Sequence, residues 1–346
     1  MAFLTTIDGK FFHQEIPAKP MGKYAHFITI RVTESYPLFQ TDGELNKARV
    51  RAGIDKKHSE AITRLAMFKR KQSTPERLTG RELLRNYKIG ESENCDYNVE
   101  FSKTTPDCIL YGFAIGDSGS EKSKVVVDTA YSITPFDDSH LNFTLNAPFE
   151  SGTMSRKGEV TSRINSQDHI LPQVFFPSIV TLKDPTESGF LYVFNNILRT
   201  RHYGAQTTRT GRVRNELIGV IFADGEIFSN LRWTQKIYDF MCNASKINLP
   251  DPLNEDDVLQ AATQAIAELM SQESIEHTDF IGETFTPLLN EVKSITSVEE
   301  KLKALLTQAN AESEAYAKKW VLKPSKSSDS DKKDKKGSKK AAAATE

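Results

Sequence analysis

Residues 24 to 32 read Tyr-Ala-His-Phe-Ile-Thr-Ile-Arg-Val, a run that is rich in aromatic and β-branched side chains and alternates in part. These features predict a first β-strand. Two later runs also predict strands, Val174 to Leu182, which Pro177 interrupts, and Leu217 to Phe222. The run Phe190 to Phe194 fits the period of either a strand or a helix, so the sequence leaves its structure open.

The overall composition is that of a folded protein without a membrane span. The chain has 346 residues, enough for one large or two ordinary domains, and 38% of them are hydrophobic, which suffices for a core. No run approaches the roughly eighteen apolar residues of a membrane helix, and the N-terminus lacks the basic head of a signal peptide. Three cysteines cannot form a disulfide framework. We therefore expect a cytoplasmic protein.

Charge is divided unevenly along the chain, although the formal net charge is −1. Residues 44–85 contain twelve Lys or Arg against five Asp or Glu, whereas residues 251–314 contain fourteen acids against three lysines. The basic part is expected to face a polyanion. The acidic part has apolar residues at helical spacing and predicts an acidic helical region at 246–322. A disordered Lys/Ser/Ala tail is predicted at 323–346.

The strongest local signal is the stretch from Asn195 to Arg214, hereafter the arginine segment. It contains no acidic residue and five arginines: Arg199, Arg201, Arg209, Arg212 and Arg214. Guanidinium groups without nearby carboxylates need an external anion, and phosphate is the obvious one.

A second basic cluster consists of Lys69, Arg70 and Lys71. A helix is predicted to begin at about Thr79, because a threonine cap is followed three residues later by a glutamate in a capping box. The first-turn amides of that helix, with Arg81 beside them, are candidates for accepting a phosphate.

The polar run from Ser139 to His169 is too long for an ordinary connection and predicts a functional loop or a projecting hairpin. It carries apolar groups and cations, among them Phe149, Met154 and Arg156. Such side chains are suited to wedging between bases or stacking on them.

Three common catalytic motifs are missing from the sequence, which has no Walker-type phosphate loop, no HExxH and no dinucleotide fingerprint. Asp42 is the carboxylate of most interest. In the simplest interpretation it caps a turn with Gly43, and the functional alternative is metal-assisted phosphodiester cleavage with magnesium. Cys95 and Cys108 are two ligands where a structural zinc site needs four, and two ordinary buried cysteines are the alternative.

Four stretches in order carry a family resemblance: residues 68–85, 106–124, 146–156 and the arginine segment. The third reads Asn-Ala-Pro-Phe-Glu-Ser-Gly-Thr-Met-Ser-Arg. Together they resemble the repeated backbone subunit of the type I-D CRISPR effector complex, Cascade, a member of the RAMP superfamily. The resemblance covers residues 24 to 240.

This resemblance implies an α+β fold built on a modified RRM-like core, that is, a ferredoxin-like βαββαβ unit. The core would occupy residues 1–245 with an inserted lid, an irregular region at about 88–120 that can bind zinc, and a thumb hairpin at about 139–170. Copies would stack head to tail along a guide crRNA in a helical filament, dock other Cascade subunits and present the guide to target DNA.

The resemblance also implies roles for individual residues. The thumb would displace one guide base at regular intervals, with Phe149 and Met154 as the wedge. Contacts to the guide backbone would fall on Lys69 to Lys71, Arg81 and the arginine segment. Only two cysteines remain as candidate zinc ligands, and the aromatic RNP signature of ordinary RRM proteins is absent, so recognition is expected to run through sugar and phosphate.

The leading hypothesis is therefore a non-catalytic subunit that binds guide RNA in antiviral defence. The enzyme alternative is cleavage of the target strand by Asp42 with a divalent cation. A further alternative is a general single-stranded nucleic-acid-binding protein.

Overall fold

The computed structural model describes residues 3–96, 99–115, 119–144 and 166–322, and the backbone of residues 155–156 and 159–160. The strands in these ranges are β1 (Tyr24–Thr33), β2 (Gln40–Thr41), β3 (Glu44–Leu45), β4 (Lys47–Arg51), β5 (Ala61–Met67), β6 (Phe113–Ala114), β7 (Ser120–Glu121), β8 (Val125–Val127), β9 (Ala130–Pro135), β10 (His140–Thr144), β11 (Ser155–Arg156), β12 (Glu159–Val160), β13 (Ser166–Ile170), β14 (Phe175–Lys183), β15 (Val213–Ala223) and β16 (His277–Ile281). The α-helices are α1 (Lys69–Asn86), α2 (Pro106–Tyr111), α3 (Glu187–Arg199), α4 (Asn230–Asn243), α5 (Glu255–Met270), α6 (Phe285–Thr296) and α7 (Glu299–Tyr316).

A five-stranded antiparallel sheet organises the fold, in the order β16-β15-β1-β14-β8. The predicted first strand is its middle strand, where Phe27 pairs with Val180 on β14 and with Val220 on β15. Every residue of β1 after Tyr24 is buried. A strand that is covered on both faces is expected to be rich in apolar residues at consecutive positions, as residues 24 to 32 are.

The two faces of β1 contribute to separate cores. Ala25 and Phe27 belong to a core formed with α3, α6 and α7, in which the ring of Phe190 stacks on Phe27 at 5.0 Å between ring centroids. Ile28 and Ile30 belong to a second core, formed with α4 and α5. Because side chains alternate along a strand, β1 divides the helices into layers on opposite faces of the sheet.

Smaller sheets extend from this centre. The strands β4, β5 and β9 form a three-stranded sheet in which β4 is an edge. The strands β10 and β13 pair antiparallel from His140 opposite Ile170 to Thr144 opposite Ser166, which makes the base of a hairpin. The strand β16 comes from the acidic helical region and joins the edge of the central sheet, a strand that the sequence did not predict.

Two local predictions are resolved or corrected. The run Phe190 to Phe194 lies in α3, and Thr186 caps this helix by accepting a hydrogen bond from the Gly189 amide at 3.1 Å. The helix predicted from Thr79 begins ten residues earlier, at Lys69, and continues through Pro75. Thr79 is therefore in mid-helix, and the prediction of a phosphate site at first-turn amides there is wrong. Among the described helices, none is both long and apolar enough to cross a membrane.

His26 on β1 makes the stability of the fold sensitive to acid. Its Nε2 donates to the Gly225 carbonyl at 3.0 Å and its Nδ1 lies 2.8 Å from the Thr181 hydroxyl, an arrangement that suits the neutral ring. Burial lowers the pKa of His26 to about 4. The unfolded chain then binds more protons than the folded one between about pH 6.5 and 4, so stability falls as the pH falls through this window.

We expect this group to remove about 3 kcal/mol of unfolding free energy between pH 7 and 4. Urea denaturation at a series of pH values measures it. His26→Gln, which does not titrate in this window, should show a flatter profile than the wild type. Parallel profiles would contradict the assignment.

Candidate nucleic-acid interface

The helix α1 buries a largely polar face. Its buried residues are Gln72, Glu76, Arg77, Gly80, Arg81 and Leu84. The first turn, which carries Arg70 and Lys71, follows Phe68 at the N-cap, and no side chain caps its amides. Positive charge and the positive end of the helix dipole therefore coincide at this end of α1.

Glu76 is the centre of a buried polar network. Its Oε1 lies 2.8 Å from Nη2 of Arg31 on β1, and both side chains are fully buried. The Tyr203 hydroxyl donates to the same oxygen at 3.2 Å, and Asn215 donates to the Tyr203 hydroxyl at 2.7 Å. Because Tyr203 belongs to the arginine segment, the network holds that segment against α1.

A groove lies between α1 and the arginine segment, and the hydroxyls of Thr79 and Thr200 bridge its two walls at 2.9 Å. Its volume is about 540 Å³. We call it the basic groove; it is lined by Arg70, Lys71, Thr74, Pro75, Leu78, Thr79, Glu82, Arg199, Thr200, Arg201, His202, Gly204 and Thr207. Four of these residues are Lys or Arg and one is acidic, so the groove attracts anions. It unites two basic clusters that are separated by more than a hundred residues in the sequence.

On the α1 wall, the cations are available to a ligand. Arg70 is exposed, and neither the Arg70 nor the Lys71 side chain has a hydrogen-bond or ion-pair partner among the described residues. Burial and then the neighbouring charge of Arg70 lower the pKa of Lys71, as expected where positive charge is concentrated.

On the opposite wall, the structure fixes Arg199. Its Nε donates to Oδ1 of Asn195 at 2.8 Å, and its Nη2 donates to the Thr296 carbonyl at 2.6 Å. Within the described part of the chain, the Arg201 side chain donates only to the carbonyl of its neighbour Thr200, at 3.1 Å. Carbonyl and amide partners leave the positive charge of both arginines uncompensated, which keeps this wall attractive to phosphate.

The C-terminal end of the arginine segment is not free of carboxylates, contrary to the expectation from its own sequence. Arg214 contacts Glu34 at 3.0 Å, Glu255 at 2.8 Å and also Glu216. Hydrogen bonding to Glu255, followed by Glu216, raises the pKa of Arg214. Arg212 lies 3.3 Å from Glu34. Glu34 and Glu255 come from distant parts of the chain, whereas Glu216 lies two residues after Arg214. Together these acids compensate both arginines.

Two other predicted contacts lie elsewhere. Arg81 is buried, and its Nη2 lies 2.5 Å from Oδ2 of Asp107. It cannot reach an external phosphate in this structure, and we correct its assignment as an RNA contact. Lys69 donates to the Val125 carbonyl at 3.2 Å and does not line the basic groove. Arg209 is exposed, without a side-chain partner in the described ranges.

The hairpin base lies close to the arginine segment. Gln167 on β13 contacts Gln206 of that segment at 3.3 Å, and it contacts Gln40 on β2 at 2.6 Å. Phe149 and Met154 lie outside the described residues, and for Arg156 only the backbone, in β11, is described.

Asp42 occupies the exposed tip of the turn between β2 and β3. Its φ of 54° and the φ of 89° at Gly43 match the left-handed pair of a two-residue hairpin turn. Asp42 belongs to no group of three possible metal ligands within the described residues. The structural interpretation as a turn residue is thus confirmed, and the cleavage role stays a prediction.

Cys95 and Cys108 are both buried, with their sulfur atoms 3.7 Å apart. Asp107 is a third possible zinc ligand, 3.8 Å from the Cys108 sulfur. The Asp107 carboxylate, however, already binds the guanidinium groups of Arg77 and Arg81. A structural zinc site needs four ligands that are free to coordinate. The described residues therefore do not complete one.

Some groove residues were not candidates in the sequence, notably Thr74 and His202. His202 lies within the arginine segment, but the sequence does not show that it faces Thr74, because the two become neighbours only when α1 packs against that segment.

The comparisons with known proteins agree with this architecture. The family model described as Csc2 Crispr matches residues 11–306. The crystal structure of Thermofilum pendens Csc2 is similar with a TM-score of 0.59 and 13% identity over 90% of this chain and 95% of that chain. A chain of a CRISPR RNA-guided surveillance complex is similar with a TM-score of 0.48 and 11% identity, over 78% of this chain and 98% of that chain. No curated protein sequence matches. Because the family model spans most of the sequence, this chain belongs to the Csc2 CRISPR family.

Proposed function

We propose that this protein binds the sugar-phosphate backbone of a guide crRNA in the basic groove, as a backbone subunit of a CRISPR effector complex. The observation that carries the proposal is the meeting of Arg70 and Lys71 with Arg199 and Arg201 in one groove. Membership of the Csc2 family supports the same context. The groove offers cations and hydroxyls, which suit binding that does not depend on base sequence.

The finer parts of the proposal concern assembly. We assign the subunit to a type I-D Cascade in which copies stack head to tail along the guide and present it to target DNA. The order β15-β1-β14-β8, with α1 between β1 and β8 in sequence and α3 between β14 and β15, supports an RRM-like βαββαβ core. The hairpin based on β10 and β13 would act as the thumb that displaces guide bases.

The test removes one cation from each wall of the basic groove. We expect the double variant Arg70→Ala/Arg201→Ala to bind single-stranded RNA more weakly by about 1–2 kcal/mol, or roughly 5- to 30-fold, whatever its sequence. The slope of log affinity against log salt should fall by about 1.4, because about 0.7 is lost per contact to a single strand. Fluorescence anisotropy with labelled RNAs of unrelated sequence measures both quantities.

Lys301→Ala/Lys303→Ala is the matched control, since it removes two exposed cations from α7, away from the groove. Equal affinities of the groove variant and this control would refute the proposal. A loss confined to particular RNA sequences would point to base readout instead of backbone binding.

A further inference from the structure

A second basic surface lies on β4, outside the basic groove. Along this strand Lys47, Arg49 and Arg51 are exposed, while the residues between them are half-buried. Side chains at alternate positions of a strand share a face, about 7 Å apart. Lys56 and Lys57, in the turn that follows, are exposed as well. We call these five cations the β4 basic face.

Among the residues that the structure describes, the five cations have no carboxylate partner. Glu44, Asp55 and Glu60 lie in the same part of the chain, but no ion pair within the described residues joins any of them to the β4 basic face. The formal net charge of the whole chain is −1, so overall basicity does not explain the cluster. A row of three cations on one face of β4, with two more in the next turn, attracts a polyanion.

The β4 basic face is held rigidly on the body of the protein. Asp239 on α4 accepts hydrogen bonds from the backbone amides of Ile54 at 2.8 Å and Asp55 at 3.1 Å. Gln235, also on α4, donates to the Arg51 carbonyl at 2.9 Å. A fixed row of charges binds an extended chain of phosphates with less loss of conformational freedom than flexible side chains on a mobile arm would.

A buried cation beneath the sheet adds to the positive potential. Arg64 on β5 is fully buried and donates to the carbonyls of Ala52 at 2.7 Å and Ser132 at 2.5 Å. Burial lowers the pKa of Arg64 to about 10, so it remains charged at neutral pH. No carboxylate in the described ranges forms an ion pair with it.

Charged residues on an edge strand also prevent aggregation, which is the simplest alternative explanation. That role concerns charges on the edge strand itself, whereas here the row on the strand continues into the next turn. The two explanations differ in whether nucleic acid binds.

We propose that the β4 basic face binds the sugar-phosphate backbone of a second nucleic-acid strand, separate from the strand in the basic groove. The proposal rests on the proposed function in assigning the groove to the guide. Three cations at alternate positions can each meet a phosphate of an extended strand, and no group on the face selects a base. Binding is therefore expected to be independent of sequence and sensitive to salt.

The experiment uses the full chain saturated with single-stranded RNA, so that the groove is filled. A labelled single-stranded DNA without complementarity to that RNA is then titrated, and anisotropy is followed at several salt concentrations. Relative to the wild type, Lys47→Ala/Arg49→Ala is expected to weaken DNA binding at least about tenfold and to lower the salt slope by about 1.4. Its RNA affinity should stay within about twofold. Both side chains are exposed, and thermal unfolding of the variant verifies the fold.

DNA binding equal to that of Lys301→Ala/Lys303→Ala would overturn the proposal and leave edge protection as the role of these cations. Loss of RNA affinity in the β4 variant would also overturn it, because the face would then belong to the guide path. The groove variant is a separate arm: if Arg70→Ala/Arg201→Ala leaves RNA binding unchanged while the β4 variant loses DNA, the assignment of the groove fails and the β4 site stands.

Discussion

Replacing Glu76 by alanine is expected to lower the free energy of unfolding by about 3–5 kcal/mol, because it leaves a buried guanidinium without its counter-charge. Burial alone would lower the pKa of Arg31, but the charges and hydrogen bonds of Glu76 and Tyr203 together outweigh burial, so that its pKa is raised. The Glu76 carboxylate also accepts a hydrogen bond from the Tyr203 hydroxyl, so removal of the carboxylate loosens the contact between α1 and the arginine segment. Urea denaturation measures the loss.

Glu82→Ala makes the same chemical change on the exposed face of the same helix, and should cost less than about 1 kcal/mol. The double variant Arg31→Met/Glu76→Leu removes both charges and should recover most of the lost stability. If Glu76→Ala and Glu82→Ala were equally stable, the buried pair would not hold α1 in place.

Replacing Asp107 by alanine has a comparable expected effect. The Asp107 carboxylate binds Arg77 at 3.2 Å and Arg81 at 2.5 Å, and all three side chains are buried. Its loss removes the carboxylate that the two buried guanidinium groups share, for a cost of about 3–5 kcal/mol. We expect a lower midpoint in urea and earlier opening of the region around α2, which hydrogen exchange can measure.

Asp107→Asn keeps the size and the acceptor oxygen and should cost less than Asp107→Ala, because hydrogen bonds to both arginines can persist. Glu93→Ala, at an exposed acid in the same region, is the control. Equal losses for the alanine and asparagine variants would mean that charge alone matters. No loss for either would contradict the role of Asp107 as the anchor of α1.

The central strands could be predicted from the sequence because they are buried and therefore consist largely of apolar and β-branched residues. The predicted strands at 24–32, 174–182 and 217–222 correspond to β1, β14 and β15, with ends that differ by a few residues. The strand β16 was not predicted because three of its five residues are exposed, so its sequence lacks the pattern of a buried strand. It is a strand because it pairs with β15.

The start of α1 could not be predicted by the same reasoning. Hydrophobic periodicity detects helices that bury apolar faces, whereas this helix buries Gln72, Glu76, Arg77 and Arg81. Each of these side chains has a partner that is distant in the sequence, as Gln72 has in the Ser178 hydroxyl at 2.6 Å. The sequence at Thr79 has the pattern of a helix N-cap. Tertiary contacts nevertheless stabilise the helix from Lys69 onward, so that it begins ten residues earlier and contains Pro75.

The sequence located the positive charges but did not show which of them have partners. The sequence indicated correctly that cations concentrate in the arginine segment. The charges of Arg212 and Arg214, however, are compensated by carboxylates outside that segment, among them Glu34 and Glu255. Arg70 and Lys71, in contrast, form no ion pair with any residue that the structure describes, and they meet Arg199 and Arg201 across the groove.

The sequence by itself determined which strands form the middle of the sheet, and which segments carry positive charge, because apolar composition and charge are local properties. The tertiary structure decided which of those charges are available to a ligand. Whether an arginine is available depends on ion pairs such as Arg31 with Glu76 and Arg81 with Asp107. The partners of a buried ion pair are close in space but can be far apart in the sequence, so the sequence alone does not reveal them.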